Sequence, residues 1–271
     1  MKNRILISIL CLLLLCGCAN QTASETTEPT ESQHESEESP PTEETEVSKH
    51  PDMVECASIE GFVTADSNSP YQIHLRKYRN DQTDSYALYI EVNTGQQMIK
   101  KELESTVILA SPESTLSLGD VDGDGTQEIL VHYDTGGLGG FGIWMTWVLK
   151  VENDSIHILF ENYKEFDTGF ESCFLDEYQM EVKNNITGYT LVYSIKDREN
   201  LPTHNIEMDP FFVFEPKDVD GDGISEIICK QYSYYSYHND YAGTACSVLK
   251  FNNQTQAFEV IDAWYEPNTE G

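Results

Sequence analysis

Asp120-Val121-Asp122-Gly123-Asp124-Gly125-Thr126-Gln127-Glu128 returns as Asp218-Val219-Asp220-Gly221-Asp222-Gly223-Ile224-Ser225-Glu226, two copies of the pattern D-V-D-G-D-G-x-x-E. Four carboxylates within nine residues repel one another unless a cation sits among them. Ca²⁺ takes about six to eight oxygens at about 2.3–2.6 Å, so a short loop has to fold several acids and a carbonyl inward around it. Alternation does this: Asp120, Asp122 and Asp124 converge while the residues between them point away, and Asp218, Asp220 and Asp222 do the same. Thr126 and Ile224 follow the second glycine and offer their main-chain carbonyls, a role that leaves the apolar side chain of Ile224 free. Glu128 and Glu226 close the two sites. The sharp turn predicts positive φ at Gly125 and Gly223, where a residue without Cβ fits at little steric cost.

The flanks decide the fold. An EF-hand needs a helix on either side and a bidentate Glu at the twelfth loop position, where this chain has Val131 and Cys229. The flanks are instead β-branched and aromatic: Leu116-Ser117-Leu118 enters the first loop and Glu128-Ile129-Leu130-Val131-His132-Tyr133 leaves it. Phe211-Phe212-Val213-Phe214 enters the second and Glu226-Ile227-Ile228-Cys229 leaves it. Neither flank carries a stripe of helical period.

The similarity between the copies runs on beyond the loops. Trp147-Val148-Leu149-Lys150-Val151-Glu152-Asn153 corresponds to Ser247-Val248-Leu249-Lys250-Phe251-Asn252-Asn253, and Ile156–Phe160 to Ala257–Ile261, so each copy predicts a four-stranded antiparallel sheet. Further strands precede each one, as a hairpin over Tyr86–Val92 and Gln97–Glu102 and as a strand over Tyr189–Ile195. The expected fold is all-β. It is either a small β-propeller-like arrangement of antiparallel sheets or two packed β-sandwich lobes, preceded by a disordered linker. The chain divides into a signal peptide over 1–17, an acidic linker over 18–54, a first β repeat over 55–155 and a second over 156–271.

The loops resemble the calcium loop of FG-GAP and VCBS-type repeats, the blades of integrin-like β-propellers. The resemblance covers the two loops and the strand that follows each. It implies Ca²⁺ ligands at Asp120, Asp122, Asp124, Thr126 and Glu128, and at Asp218, Asp220, Asp222, Ile224 and Glu226, hence two Ca²⁺ sites.

At the N-terminus, Lys2 and Arg4 precede an apolar run over Ile5–Leu15, which closes on Leu15-Cys16-Gly17-Cys18. This resembles a bacterial lipoprotein signal and implies lipidation of Cys18, an anchor in the membrane and a place on its extracytoplasmic face. The run is too short for a span, which needs about twenty residues. From Gln21 to His50 the chain is a Ser/Thr/Glu/Pro tract with nine glutamates. Such a tract buries too little apolar surface to order, so it reads as a tether with a mean reach of about 30 Å. The net charge of −31 argues against nucleic acid as a partner.

Removal of the signal leaves Cys56, Cys173, Cys229 and Cys246 beside Cys18. Cys229 and Cys246 lie on neighbouring strands and are nominated for a disulfide, with two buried thiols as the alternative. Tyr232, Tyr234, Tyr235, Tyr237 and Tyr241 crowd one loop with His238 and Asp240 and form a candidate ligand surface for an extracellular glycan or protein; ordinary cross-strand packing is the alternative. Gly137-Leu138-Gly139-Gly140-Phe141-Gly142 matches G-x-G-x-x-G but leads into β-forming sequence, where a dinucleotide site needs a helix. No catalytic signature stands out. The expectation is therefore a calcium-binding, lipid-anchored cell-surface protein that serves as a non-catalytic binding module. An extracellular glycan-acting enzyme and a structural subunit of an envelope complex are the alternatives.

Overall fold

The structure, a computed structural model, describes residues 52–65, 68–80, 82–83, 85–107, 114–136, 144–162, 166–196, 201–202 and 204–268. The signal peptide, Cys18, the acidic tract up to 51 and the glycine-rich segment 137–142 lie outside the described residues. The described residues form strands and no helix, in four antiparallel sheets of which none is closed.

The first sheet holds β1 (Met53–Gly61), β2 (Tyr71–Asn80), β3 (Ser85–Asn93) and β4 (Met98–Val107), and the second holds β5 (Thr115–Gly119), β6 (Glu128–Asp134), β7 (Trp144–Glu152) and β8 (Ser155–Asn162). The third holds β9 (Phe170–Phe174), β10 (Gln179–Asn184) and β11 (Thr190–Ser194), and the fourth β12 (Glu207–Lys217), β13 (Glu226–Tyr234), β14 (Tyr241–Asn252) and β15 (Ala257–Pro267). Every sheet has its strands side by side in chain order. The hairpin β7–β8 carries the second sheet to Asn162, beyond the 155/156 division of the sequence.

The core follows from alternation within strands. Ile129, Val131, Tyr133, Trp147, Leu149 and Val151 of the second sheet are buried against Ile73, Leu75, Leu88, Ile90 and Val92 of the first. The intervening residues Leu130 and Val148 are equally buried, because they point the other way, into a second core with Phe211, Phe214, Ile227, Leu249 and Phe251 of the fourth sheet. A sheet covered on both faces loses its polar alternation, and β6 and β7 are accordingly almost wholly buried. The fourth sheet meets the third through Met180, Val182, Ile195, Tyr235, Ala245 and Tyr265. Packing thus joins first to second, second to fourth and fourth to third.

The contact between first and second sheets is repeated between second and fourth. The Gln127 amide donates to the Phe62 carbonyl at 3.1 Å, and Ser225, in the same place on the fourth sheet, donates to the Asp120 carbonyl at 2.7 Å. A Cβ on Gly61 would strike Leu118 and approach Gln127, and one on Gly119 would strike Pro216 and approach Ser225. Gly61-Phe62-Val63 therefore takes the position of Gly119-Asp120-Val121, with Val63 and Val121 both 1% exposed. The segment 61–63, where β1 ends, is a third copy of the loop's setting in which Phe62 replaces the first aspartate.

The nominated disulfide is corrected. Cys56, Cys173, Cys229 and Cys246 are all free thiols. Cys229 pairs with Ser247, and Cys246 with Lys230, so the two cysteines are one residue out of register and project from opposite faces of the sheet. Their counterparts behave alike: Val131 pairs with Trp147 and His132 with Thr146.

Candidate metal centres

Each acidic loop sits at one end of a sheet, between the first and second strands of its four. Its turn is drawn tight by backbone amides. In the first loop, Gly123 and Gly125 donate to the two oxygens of Asp120 at 2.8 and 2.9 Å, the Asp124 amide to Asp122 at 3.2 Å, and the Thr126 amide to Asp124 at 2.8 Å. The second loop repeats the set: Gly221 and Gly223 donate to Asp218, Asp222 to Asp220 and Ile224 to Asp222, at 2.6–3.1 Å. This winding requires positive φ at Gly125 (86°) and Gly223 (90°), and equally at Gly123 (77°) and Gly221 (80°).

Asp120, Asp122 and Glu128 converge, with one carboxylate oxygen of each within 4.8 Å of the others, and Asp218, Asp220 and Glu226 form the matching group. These two acidic clusters are able to hold a metal ion. Asp124 and Asp222 stay outside the tight groups. One oxygen of each is taken by the amide two residues on, that of Thr126 or Ile224, and the other faces a lysine.

Glu128 and Glu226 are the innermost acids of the two groups and both are fully buried. Glu128 Oε2 accepts the Val121 amide at 2.9 Å, and Glu226 Oε2 the Val219 amide at 3.1 Å. Their other oxygens differ. Glu128 Oε1 is buried with no hydrogen-bond partner. Burial is the main reason its pKa is pushed up from 4.5 to about 7; the Val121 amide pulls the other way with less effect. Glu226 Oε1 accepts a hydrogen bond from Lys250 Nζ at 2.6 Å.

The lysines are the part of the site that the sequence did not announce. Lys150 donates to Asp122 Oδ2 and, at 2.6 Å, to Asp124 Oδ2, and stands 3.8 Å from Glu128 Oε1. Lys250 lies 3.3 Å from both Asp220 Oδ2 and Asp222 Oδ2 besides its bond to Glu226. Both project from the third strand of their sheet, and Val-Leu-Lys repeats there in the two copies. That recurrence was the available signal. Burial opposes charge on Lys150, but its bonds to Asp122 and Asp124 outweigh it and hold the ammonium above its ordinary range. Desolvation likewise acts against Asp124, whose bonds from Lys150 and Thr126 nevertheless hold its carboxyl below the ordinary range.

The tyrosine cluster is mostly packing. Tyr235 and Tyr232 are buried, and Tyr232 stacks on Tyr241 with ring centroids 4.8 Å apart and donates to the His238 carbonyl. Tyr234 lies 4.2 Å from the His238 ring, and Tyr235 shares a 2.9 Å hydroxyl contact with Tyr193. Tyr237 alone of the five stands well exposed, at 74%. His132 is buried, bonded to the Phe211 carbonyl at 3.0 Å and stacked on Trp144, a structural role. Comparison of the chain with protein-family models, with curated proteins and with solved structures gives no match.

Proposed function

We propose that the protein binds Ca²⁺ at both acidic loops and acts as a non-catalytic binding module, tethered by lipid on Cys18 to the outer face of a bacterial membrane. The observation that carries the metal reading is Glu128 Oε1, a fully buried carboxylate oxygen without a hydrogen bond, set among Asp120 and Asp122. A buried acid left like this is costly, and a cation removes the cost. The donors are all hard oxygens, with no imidazole or thiolate in either group, which suits Ca²⁺ rather than zinc or copper. Asp120, Asp122 and Glu128, with Asp218, Asp220 and Glu226, would hold the ions directly. Asp124, Asp222 and the carbonyls of Thr126 and Ile224 would complete the shells. The repeated contact from first to second to fourth sheet supports a propeller-like arrangement of these three, with the third sheet added on the fourth. In this reading the ions fix the loop ends of the sheets and so hold neighbouring connections in place to meet a glycan or protein. Extracellular sites of this kind have Kd of about 10⁻⁴–10⁻³ M, so occupancy follows ambient calcium. Calorimetric titration of the protein, stripped with chelator, is expected to show uptake of Ca²⁺ in that range and a rise in Tm. Absence of both rejects the proposal.

A further inference from the structure

Two loops of one pattern carry their lysines in different places, and this bears on how they would fill. In the first loop, Lys150 sits at the outer side of the cluster, bonded to Asp122 and Asp124, and leaves Glu128 Oε1 unbonded. In the second, Lys250 reaches the innermost acid: its ammonium is 2.6 Å from Glu226 Oε1 and 3.3 Å from Asp220 and Asp222. An ion entering the first site has to break the Lys150 bond to Asp122 while gaining an oxygen that accepts no hydrogen bond and has the Lys150 ammonium no nearer than 3.8 Å. An ion entering the second has to draw Lys250 away from both Glu226 and Asp220, two of the three converging ligands.

Resting on the calcium reading, we infer that Lys250 is a tethered competing cation, an internal latch that occupies the second site until Ca²⁺ displaces it, so that the sites fill in sequence, first loop before second. The ammonium is held on a side chain of the adjacent strand β14, so its local concentration does not vary, and the threshold of the second site is built into the chain. Displacement leaves Lys250 charged and returns it to water; its side chain is already 31% exposed, so it has room to leave. Lys150 is more enclosed, at 17%, and its bond to Asp124 is to an acid outside the converging group. That lysine can stay at the first site as a neutralising neighbour of the bound ion. A pair of sites staggered in this way responds over a wider span of calcium concentration than two equal ones.

The test is Ca²⁺ titration of the full soluble chain by calorimetry, in wild type, Lys250→Met and Lys150→Met. Wild type is expected to show two separated transitions. K250M should tighten the weaker one by about tenfold, the scale of one charge-assisted hydrogen bond, while K150M moves the tighter one by much less. Because K250M leaves Glu226 buried without its partner and can weaken the fold, a second measurement uses wild type alone. The Lys250 ammonium, followed by ¹⁵N NMR of the lysine side chains, should be protected from exchange without calcium and lose that protection only at the second transition. Two equal sites, equal shifts from both substitutions, or a Lys250 signal that ignores calcium would overturn the latch and leave calcium binding standing. No uptake at all would remove the calcium reading itself.

Discussion

Val121 and Val219 hold the same position in the two acidic loops, yet Val121 is 1% exposed and Val219 43%. The loops share their pattern of amide bonds to Asp120 and Asp218, so the difference comes from what lies over them. The fourth sheet covers the first loop: Ser225 donates to the Asp120 carbonyl, Asn253 Nδ2 to the Asp122 carbonyl at 2.8 Å, and Ile224 packs at Gly123. The second loop stands more open to solvent. Identical local chemistry, placed under different cover, yields one loop with a stranded buried oxygen and one satisfied by its own lysine. The repeat copies the acids but not their surroundings, and the surroundings set how each loop is satisfied.

The largest test of this contrast lies behind the loops. Trp147 and Ser247 are equivalent positions, paired with Val131 and Cys229, and both are buried. Trp147 fills the core between first and second sheets, so Trp147→Ala should cost about 3–5 kcal/mol and lower Tm by about 10 °C. Ser247 carries a buried hydroxyl with no hydrogen bond, and Ser247→Ala should change stability by less than about 0.5 kcal/mol. Urea denaturation of the two variants decides the matter. Equal costs would mean that the copies bear the same load and that the asymmetry of cover is superficial.

The next test is electrostatic and reads Glu128. In the metal-free protein its carboxyl is held near 7 against an ordinary 4.5, mainly by burial. The folded chain therefore keeps a proton that the unfolded chain releases between those values. Stability without metal must fall as pH rises from about 4.5 to about 7 and level off above. The loss should amount to about 2 kcal/mol once solvent screening at the loop mouth is allowed for. Calcium needs the ionised acid, so its uptake at the first site should release a proton at pH 6 and none at pH 8.5. Potentiometric titration measures this, and Glu128→Gln should abolish the release. Proton release that persists in E128Q would place the titrating group elsewhere.

Much of this was legible in the sequence because it is local chemistry. Alternating aspartates with glycines at the turn, set between β-branched runs, fix the loop and both adjoining strands within a few residues, and the all-β class follows. What escaped depends on register and on distant neighbours. Cys229 and Cys246 lie on adjacent strands as expected, but a shift of one residue sends their side chains to opposite faces, and composition carries no trace of such a shift. Lys150 and Lys250 were visible as repeated residues; their direction toward the loops is set by the twist and pairing of β6 with β7 and of β13 with β14. The third copy of the setting, Gly61-Phe62-Val63, was hidden because Phe62 replaces the acid that made the other two conspicuous. The fourth sheet packs on the second, passing over the third in chain order, a choice made by tertiary contacts between Phe160, Phe214 and Phe258.

The smallest and sharpest test of the loop comparison uses one glycine from each. Gly123 and Gly221 have nearly the same φ, 77° and 80°, so replacing either by alanine should cost about 1 kcal/mol for the left-handed backbone alone. Gly221 faces open space, and nothing more is expected there. A Cβ on Gly123 would come within 2.7 Å of Ile224 Cδ1, so Ile224 must leave its rotamer or the loops must separate, adding about 0.5–1.5 kcal/mol. Gly123→Ala should therefore be the worse of the two. Ile224→Val removes Cδ1 and leaves only Cγ1, 3.3 Å from the added Cβ, while keeping the Ile224 carbonyl's position in the chain, so in that background most of the extra cost should vanish and G123A should approach G221A. A double-mutant cycle that shows no coupling between 123 and 224 would mean that the second loop does not brace the first, and the difference in cover would then have no energetic content.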